Sequence, residues 1–371
     1  MALSSCPISR LDACAFTVPT DGPEADGTFG WAQTDLVVVE IAAGARTGLG
    51  YTYASHTIAP LIRETLAPLL LDREALDIGA RAADIAAAVR NMGRSGMAAT
   101  ALSAVDCALW DLKARLLDIS LADLLGAVRD DVAIYGSGGF TNYDDQRTIE
   151  QFGGWAADLG CRAFKMKVGS EPRLDPDRIA AVRRAMPHAE LMMDANGALD
   201  RKQALVLARA AADLGVTWFE EPVSSDDLDG LRLLRDRAPA RMEIAAGEYA
   251  YDPVYVRRMA ASGAVDVMQL DVTRIEGITG FLKAAAVAES HHLPISAHTA
   301  PALHLAVGCA APGMRHLEWF HDHARIEAML FDGAPVPKGG RVAPDRSRAG
   351  HGLVFRRRDA QRFAVEGGGA A

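Results

Sequence analysis

The sequence CRAFKMKVG at residues 161–169 is followed by AELMMDANG at 189–197 and by VTWFEEPV at 216–223. Each segment is a short apolar run that ends in polar or charged residues, which is typical of a buried strand whose carboxyl end reaches the surface. Residues 175–186 and 200–215, which lie between these segments, have the spacing of amphipathic helices. This strand–helix order predicts parallel strands joined by right-handed crossovers.

Five further segments share the pattern, so that eight strand candidates follow Asp131. They are VAIYGSGG (132–139), MEIAAGE (242–248), AVDVMQLDV (264–272), LPISAHTA (293–300) and HLEWF (316–320). Eight strands that alternate with helices predict an α/β fold of the closed, TIM-like barrel type. An open doubly wound sheet is the alternative, but no GxGxxG motif follows a first strand.

The first part of the chain predicts a small α+β unit. Residues 35–43 (DLVVVEIAA) are apolar and β-branched, which predicts a strand, and helices are predicted over about 58–71, 80–91 and 98–117. We expect an N-terminal capping domain at 1–130, a barrel at 131–330 and a segment at 331–371 that returns to the capping domain. The sequence GGGAA at 367–371 is expected to be disordered.

Composition and charge restrict the classes of function. Half of the 371 residues are hydrophobic and 23% are charged, as in a globular protein with a large core. A net charge of −9 argues against a nucleic-acid partner, and five scattered cysteines without a CxxC pair make neither a zinc motif nor a disulfide framework. No long apolar span and no signal-peptide pattern occurs. We therefore expect a cytoplasmic enzyme that binds neither nucleic acid nor membrane.

Ionisable side chains end seven consecutive strand candidates. In chain order they are Lys165 and Lys167, Asp194, Glu220 and Glu221, Glu248, Asp271, His298, and Glu318. The carboxyl ends of barrel strands meet at one mouth, so we expect these side chains to converge there. Buried charges without compensation would cost several kcal/mol each, and the series therefore indicates a functional site.

Three of these residues, Asp194, Glu220 and Glu248, predict a divalent metal site. Carboxylate oxygens suit magnesium, which keeps some waters and leaves positions for a substrate carboxylate. Zinc would prefer histidine or cysteine, and neither occurs at these positions. An acidic surface cluster without a metal is the alternative interpretation.

The remaining strand ends predict acid–base groups. Lys165 and Lys167 alternate along one strand and face the same side, where mutual repulsion predicts a lowered pKa for at least one of them and hence a usable base. Asp271 and His298 lie on adjacent strands, as an orienting carboxylate and a general acid–base would. Glu318 could donate a hydrogen bond to a substrate carboxylate if burial raised its pKa. Solvated lysines and a core histidine are the alternatives.

Together these motifs resemble the enolase superfamily, and specifically the mandelate racemase group of the mandelate racemase/muconate lactonizing enzyme family. The resemblance covers nearly the whole chain. ALSAVDCALWDLKARLLDISLADLLG (101–126) resembles the first signature of the family, KMKVG its Lys-x-Lys strand, and MMDANG with WFEEPV its second signature. LDVTRIEGITG, ISAHTAP and HLEWF complete the order. The resemblance implies a (β/α)7β TIM-like barrel with an N-terminal α+β capping domain.

For the metal site, the resemblance implies that Asp194, Glu220 and Glu248 bind one magnesium ion per subunit, with manganese as an alternative. Asn196 and Glu221 are similar to residues that support this metal. The cluster of carboxylates thus receives the same interpretation from its chemistry and from the resemblance.

For the acid–base groups, the resemblance implies that Lys167 is the base on one face of the substrate. Lys165 would tune the pKa of Lys167 and touch the substrate carboxylate. His298, paired with Asp271, would act from the other face, and Glu318 would polarise a carboxylate oxygen.

Substrate specificity is expected in the capping domain, whose loops would cover the barrel mouth. Residues 18–31 (VPTDGPEADGTFGW) and 51–56 (YTYASH) are rich in hydroxyl, glycine and aromatic groups that suit a polyol chain. Trp31, Tyr53 and His56 are the candidates for contacting the substrate or supporting residues that contact it, and ordinary surface loops are the alternative. Glu276 stands where the family often has glycine, and it either touches substrate or faces solvent.

The reaction implied by the resemblance is removal of the proton beside a carboxylate, which gives an enediolate intermediate. We expect loss of a β-hydroxyl from an aldonate or aldarate, which would make the protein a hydro-lyase that forms a 2-keto-3-deoxy acid. A racemase, an epimerase and a lactone cycloisomerase are isomerase alternatives. A homo-oligomer is expected.

Two interpretations from other functional classes, a zinc hydrolase and a non-catalytic protein, are less favoured. A zinc amidohydrolase barrel would show HxH at the first strand, where this chain has YGSGG. A non-catalytic barrel would tolerate the loss of lysines or ligands, yet every position of the set is filled.

Overall fold

The computed structural model of the protein describes residues 5–365. The disorder expected for residues 367–371 concerns positions outside that range. Between residues 5 and 365, no helix is both long enough and apolar enough to span a membrane.

An antiparallel sheet of three strands opens the described chain. Its strands in spatial order are β1 (Ile8–Ala25), β2 (Gly30–Ala43) and β3 (Arg46–Thr52). The side chains of β2 alternate between two buried faces. Val37 and Val39 pack among helices, whereas Leu36 and Val38 pack in the core that the sheet shares with the barrel. Burial of both faces explains the nearly continuous apolar run that predicted this strand.

Helices follow the sheet, and all but the last of them pack on one of its faces. They are α1 (Ile58–Leu61), α2 (Ala67–Leu70), α3 (Ile78–Ala88), α4 (Met97–Leu116) and α5 (Leu121–Leu124), with a π-helical segment (Ile62–Leu66) between the first two. Helix α4 approaches β3 very closely, since a Cβ atom on Gly50 would lie 2.2 Å from the carbonyl oxygen of Ala104. A Cβ atom on Gly48 would lie 2.3 Å from the carbonyl oxygen of Ala108. Only glycine permits this close backbone packing.

Eight parallel strands form a closed barrel. They are β4 (Val132–Gly138), β5 (Ala163–Lys167), β6 (Glu190–Asp194), β7 (Val216–Glu220), β8 (Glu243–Ala246), β9 (Val267–Leu270), β10 (Ile295–Ala297) and β11 (Met314–Phe320). Each strand pairs with the next one in the sequence, and β11 pairs with β4 to close the ring. The predicted fold class is confirmed, and the open doubly wound alternative is wrong.

A helix follows each barrel strand. The helices are α6 (Asp145–Asp158), α7 (Asp175–Ala185), α8 (Arg201–Asp213), α9 (Leu228–Arg237), α10 (Pro253–Ser262), α11 (Gly277–Ser290), α12 (Pro301–Ala310) and α13 (His321–Leu330). Side-chain caps set several helix starts. Before α8, the carboxylate of Asp200 accepts from the backbone of Lys202 and Gln203, and the Gln203 side chain accepts from Asp200 N.

The described residues after the barrel add a short antiparallel strand beside β4, and the last of them return to the first sheet. They form β12 (Phe331–Asp332), β13 (Arg341–Val342), β14 (Val354–Phe355) and α14 (Arg357–Ala360), followed by a short 3₁₀ helix (Gln361–Phe363). The ring centroids of Phe355 and Phe16 lie 5.3 Å apart, and Val365 N donates to Ala15 O at 3.0 Å. The domain boundaries near residues 130 and 330 stay a prediction.

A buried carboxyl group, Glu327 on α13, joins the first sheet to the barrel. Its Oε1 accepts from the Tyr51 hydroxyl of β3 at 2.6 Å, and its Oε2 accepts from Ala302 N in the first turn of α12 at 3.0 Å. Burial raises the pKa of Glu327 to about 8, although both hydrogen bonds oppose the rise. The folded protein therefore keeps a proton on this group at pH values where an unfolded chain has lost it.

The Glu327→Gln variant tests this linkage. Because the pKa is higher in the folded state, Glu327 contributes stability that is present below the unfolded pKa and is lost as pH rises towards about 8. The free energy of unfolding of the wild type, minus that of the variant, is expected to fall by about 1–4 kcal/mol between pH 5 and pH 8. Chemical denaturation at several pH values measures it, with Glu289→Gln on the exposed side of α11 as control. If the difference in free energy of unfolding between the wild type and Glu327→Gln does not change with pH, the raised pKa of Glu327 is contradicted.

Candidate active site

A cavity of about 740 Å³ lies between the barrel mouth and the first sheet. The barrel side is lined by Lys167, Asn196, Glu248, Tyr249, Arg274, His298, Thr299, Phe320 and His323. The opposite side is lined by Asp26, Phe29, Trp31, Ala32, Gln33, Thr34, Asp35, Tyr53, Ala54 and Ser55, which we call the capping wall. The cavity thus lies at the carboxyl ends of the strands, where TIM barrels carry their active sites.

Asp194, Glu220 and Glu248 lie together on the barrel side. Asp194 and Glu220 end adjacent strands and are paired in register, and Glu248 follows β8 after a short turn. Each residue offers a carboxylate oxygen within 4.8 Å of the other two, and all three side chains are buried. A donor set made only of oxygen suits Mg²⁺ better than zinc. These residues could therefore hold the predicted metal ion.

Two neighbours add polar oxygens to this cluster. Glu221 and Asn196 line an adjoining cavity of about 410 Å³, and Glu221 Oε1 and Asn196 Oδ1 are buried without a hydrogen-bond partner among the described residues. Burial, together with the charges of Glu248 and Asp194, raises the pKa of Glu221 well above its usual value. Unpartnered oxygens in a region of excess negative charge favour a bound cation and its water ligands.

The backbone at the barrel mouth adopts left-handed φ angles at four non-glycine residues. The angles are +47° at Asn196, +37° at Glu221, +50° at Thr299 and +38° at Ala300. Side chains with a Cβ rarely adopt this region, and such strain clusters at functional sites. These residues lie just after the strand ends that carry Asp194 and Glu220 and just after His298, so the surrounding structure holds the adjoining loops in this conformation.

Lys165 and Lys167 contact carboxylates of other strands. Lys165 Nζ lies 2.6 Å from Glu220 Oε1 and 2.8 Å from Glu318 Oε1, and Lys167 donates to Asp194 Oδ2. Burial alone would lower both pKa values, but these carboxylates outweigh it and raise the pKa of each lysine above its usual value. The predicted lowering of a lysine pKa is therefore wrong for this structure, because the nearest charges are negative.

His298 is oriented by Asp271. Its Nδ1 lies 2.8 Å from Asp271 Oδ2, and its Nε2 lies 3.2 Å from Glu248 Oε2. Although burial opposes the effect, the hydrogen bond and charge of His298 hold the pKa of Asp271 below its usual range. A carboxylate beside Nδ1 keeps the proton on that nitrogen, which leaves Nε2 for acid–base chemistry in the cavity.

Glu318 is held as a carboxylate. Its Oε2 accepts from Thr299 N at 2.9 Å, and its Oε1 is the neighbour of Lys165. Burial would raise its pKa, but the charges of Lys165, His298 and Lys167 hold the pKa below its usual range. The predicted role of Glu318 as a hydrogen-bond donor is therefore wrong for this structure, since three cations favour the ionised form.

Two of the three predicted loop contacts line the cavity. Trp31 and Tyr53 belong to the capping wall, and the Tyr53 ring stacks on His323 with centroids 3.5 Å apart. His56 is not among the lining residues. Its Nδ1 lies 2.9 Å from Asp35 Oδ2. His56 therefore supports Asp35, which lines the cavity, and its place among the substrate-contacting or supporting residues stays a prediction.

Arg274 is the main residue that the sequence interpretation missed. Its Nη1 lies 3.3 Å from Glu248 Oε1, its Nε lies 3.4 Å from Asp271 Oδ2, and its guanidinium lies over the Tyr249 ring at 5.1 Å. Arg274 therefore links the carboxylate cluster, through Glu248, to Asp271, the partner of His298. Its position three residues after a strand-end aspartate was a readable signal.

Glu276 neither lines the cavity nor faces solvent freely. Its Oε1 lies 2.6 Å from Arg94 Nη2, so that it pairs the start of α11 with the loop before α4. Its φ angle of +62° lies in the region that favours glycine, which agrees with the glycine often found at this position in similar sequences.

Two family models match the sequence. The mandelate racemase / muconate lactonizing enzyme N-terminal domain matches residues 19–126, and the enolase C-terminal domain-like model matches residues 147–360. The chain belongs to the mandelate racemase/muconate lactonizing enzyme family. Its cavity therefore lies between the two parts of the chain that the family models describe.

Relatives in this family carry different activities. L-talarate/galactarate dehydratase of Salmonella typhimurium is 32% identical over 312 residues, which are 81% of this chain and 77% of that protein. The 3,6-anhydro-alpha-L-galactonate cycloisomerase of Streptomyces coelicolor is 31% identical over 358 residues, which are 94% of this chain and 97% of that protein. Both relatives are enzymes, one a lyase and the other an isomerase.

Solved structures share the fold over nearly their full length. A mandelate racemase/muconate lactonizing enzyme-like protein from Rubrobacter xylanophilus has a TM-score of 0.94 at 49% identity, with 97% of this chain and 100% of that chain covered. A racemase from Streptomyces coelicolor A3(2), solved with bound magnesium, has a TM-score of 0.91 at 29% identity, with 96% and 100% covered.

Magnesium binding is tested by thermal unfolding. A cation that binds only the folded carboxylate cluster is expected to stabilise the wild type by about 2–3 kcal/mol at a concentration near one hundred times its Kd. Asp194→Asn and Glu248→Gln are expected to lose most of this gain, because each removes a charged ligand. Asp213→Asn, which removes an exposed charge at the end of α8, is the matched control. An equal gain in all variants would place the cation elsewhere.

Proposed function

We propose that the protein is a magnesium-dependent enzyme that removes the α-proton of a sugar acid and eliminates the β-hydroxyl, giving a 2-keto-3-deoxy acid. The observation that carries this proposal is that Lys167 and the Asp271-oriented His298 line the same cavity as Glu248 of the carboxylate cluster. A base, an acid and a site for the substrate carboxylate are the parts that such an elimination requires.

The metal assignment rests on the donor set. Asp194, Glu220 and Glu248 would hold Mg²⁺, because their oxygens fit a hard divalent cation. The racemase from Streptomyces coelicolor, which has a similar structure, was solved with magnesium. When bound, the cation supplies positive charge to the substrate carboxylate while the α-proton leaves. Mn²⁺ has similar ligand preferences and is the second candidate.

Lys167 is the proposed base. It accepts the α-proton on Nζ after its own proton has been released. The repulsion of Lys165 favours that release, whereas Asp194 raises the pKa of Lys167 and opposes it; a cation bound to Asp194 would reduce this opposition. Lys165, held between Glu220 and Glu318, remains charged and stabilises the negative charge that the substrate gains.

His298 is the proposed acid for the second half of the reaction. Its Nε2 gives a proton to the departing β-hydroxyl as the C–O bond breaks, so that water leaves and an enol forms. The enol then takes a proton at carbon and becomes the 2-keto-3-deoxy acid. Asp271 stabilises the protonated imidazole and keeps Nε2 directed into the cavity.

A second candidate function is cycloisomerisation. The cycloisomerase relative from Streptomyces coelicolor spans 94% of this chain, whereas the dehydratase relative spans 81%. Cycloisomerisation would use the same base and acid, but an internal oxygen would leave or add instead of a hydroxide. Racemisation, in which His298 returns a proton to the opposite face of the α-carbon, is a third outcome of the same geometry.

A screen of sugar acids with Mg²⁺ in deuterium oxide tests the proposal. Formation of a keto acid, detected chemically and by NMR, supports dehydration and names the substrate. Deuterium at the α-carbon without keto acid would instead support racemisation, epimerisation or cycloisomerisation. Lack of both with every acid would contradict proton abstraction.

Variants separate the two halves of the reaction. Lys167→Ala is expected to lower α-exchange and product formation by at least about a hundredfold. His298→Asn is expected to retain α-exchange and to lose product formation. Lys202→Ala and His291→Asn, both at exposed positions, are the matched controls. Product formation by His298→Asn at the wild-type rate would remove this residue from the mechanism.

Asp271→Asn is expected to lower kcat for product formation by about 10²–10⁴-fold, because an amide can hold the imidazole in the wrong tautomer. The stabilisation by Mg²⁺ should persist, since Asp271 is not one of the three proposed ligands. Kinetics and thermal unfolding of the same preparation measure both effects. An unchanged kcat would show that His298 needs no orienting carboxylate.

Location in the cytoplasm and assembly into a homo-oligomer stay predictions from the sequence. Size-exclusion chromatography with light scattering would measure the number of subunits.

A further inference from the structure

We propose that the substrate carries a single carboxylate and extends an uncharged, hydroxyl-bearing chain towards the capping wall, so that the enzyme acts on an aldonate-type monoacid rather than an aldarate diacid. The proposal rests on the proposed function, because it assumes that the reacting carboxylate binds at the metal cluster. The rest of the molecule must then occupy the side of the cavity that faces the capping wall.

The capping wall carries negative charge only. Asp26 and Asp35 are its ionisable acids, and within residues 5–365 no lysine, arginine or histidine lines this side of the cavity. The other lining groups are aromatic, small or neutral, such as Phe29 and Gln33. A second carboxylate placed here would lose water and meet two like charges without a cation.

Asp35 is fixed in its ionised form. Its carboxylate accepts from Thr17 Oγ1 at 2.6 Å and from His56 N at 3.0 Å, and it lies 2.9 Å from His56 Nδ1. Partial burial would raise its pKa, but these hydrogen bonds lower the pKa below its usual value. A fixed carboxylate accepts hydrogen bonds from sugar hydroxyl groups and repels another carboxylate.

Asp26 is held in the turn that joins β1 to β2. Its Oδ1 accepts from Thr28 N at 2.6 Å and from Phe29 N at 2.7 Å. The turn places the exposed Phe29 ring beside Trp31, with centroids 6.2 Å apart and nearly parallel planes. Aromatic faces beside hydrogen-bond acceptors suit a polyol, whose carbon chain is apolar and whose hydroxyls are donors.

Of the four basic residues that line the barrel side, Lys167 and His298 are assigned to the reaction, which leaves Arg274 and His323. Arg274 lies between Glu248 and Asp271, at 3.3 Å and 3.4 Å. His323 is stacked against Tyr53, and burial lowers its pKa well below its usual value, so it is neutral. Arg274 therefore offsets two carboxylates of the barrel mouth, and His323 brings no positive charge to a distal carboxylate on the substrate.

The names of relatives leave this choice open. The dehydratase from Salmonella typhimurium acts on talarate and galactarate, which are diacids. The cycloisomerase from Streptomyces coelicolor acts on an anhydrogalactonate, which is a monoacid. Membership of the family therefore does not decide the number of carboxylates, whereas the charge of the capping wall favours one.

Matched pairs of substrates test the proposal. Each six-carbon aldonate is compared with the aldarate of the same configuration, and kcat/KM and α-deuterium exchange are measured with the magnesium-loaded enzyme. We expect the best aldonate to exceed its matched aldarate by at least about tenfold in kcat/KM. An aldarate that equals or exceeds its aldonate would overturn the monoacid proposal and leave the dehydration chemistry standing. Absence of exchange and turnover with every acid of both kinds would overturn the proposed function itself.

Charge variants of the capping wall provide the second test. Gln33→Lys places a cation on an exposed wall position, and Asp35→Asn removes a negative charge while keeping the shape of the side chain. Each is expected to raise the ratio of aldarate to aldonate kcat/KM by about tenfold. Asp213→Asn, which changes the net charge outside the cavity, should leave the ratio unchanged. An unchanged ratio in both wall variants, with Mg²⁺-induced stabilisation intact, would overturn the role of the wall.

Discussion

The concentration of buried carboxylates at the barrel mouth is the constraint on which the site depends. Six acids converge there, namely Asp194, Glu220, Glu221, Glu248, Asp271 and Glu318, and they are accompanied by Lys165, Lys167 and Arg274. Buried charges without partners destabilise a fold by several kcal/mol each. The lysines and the arginine offset part of the negative charge, and the proposed divalent cation would offset more of it. The positions of the acid–base groups follow from this balance, because each cation lies where a carboxylate holds it.

The fold could be predicted because its signals are local. An apolar run with a polar end marks each barrel strand, and the parallel arrangement brings all these ends to one mouth. Asp194 and Glu220 are 26 positions apart in the sequence, yet they are register partners on adjacent strands. The convergence of the three carboxylates was therefore accessible to reasoning from strand order alone, without any knowledge of distances.

The protonation states could not be predicted because they depend on distances across the barrel. In the sequence, the nearest charged neighbour of Lys167 is Lys165, which suggested a lowered pKa. In the structure, Lys165 still lowers the pKa of Lys167, but Asp194 of the next strand outweighs it, so that the net shift is a rise. Glu318 was misjudged for the same reason, since burial was visible in the sequence and its cationic neighbours were not.

The capping wall shows a different limit of sequence reasoning. Of two polar residues in this region, one can line the cavity while the other only supports it, and the sequence does not tell which is which. His56 holds Asp35 from behind, and only Asp35 lines the cavity. The carboxylate cluster consists of Asp194, Glu220 and Glu248, and none of these three residues belongs to the capping wall. A barrel with constant chemistry can in this way face different walls, and the sign of the charge on the wall then selects which carboxylic acids are desolvated without penalty.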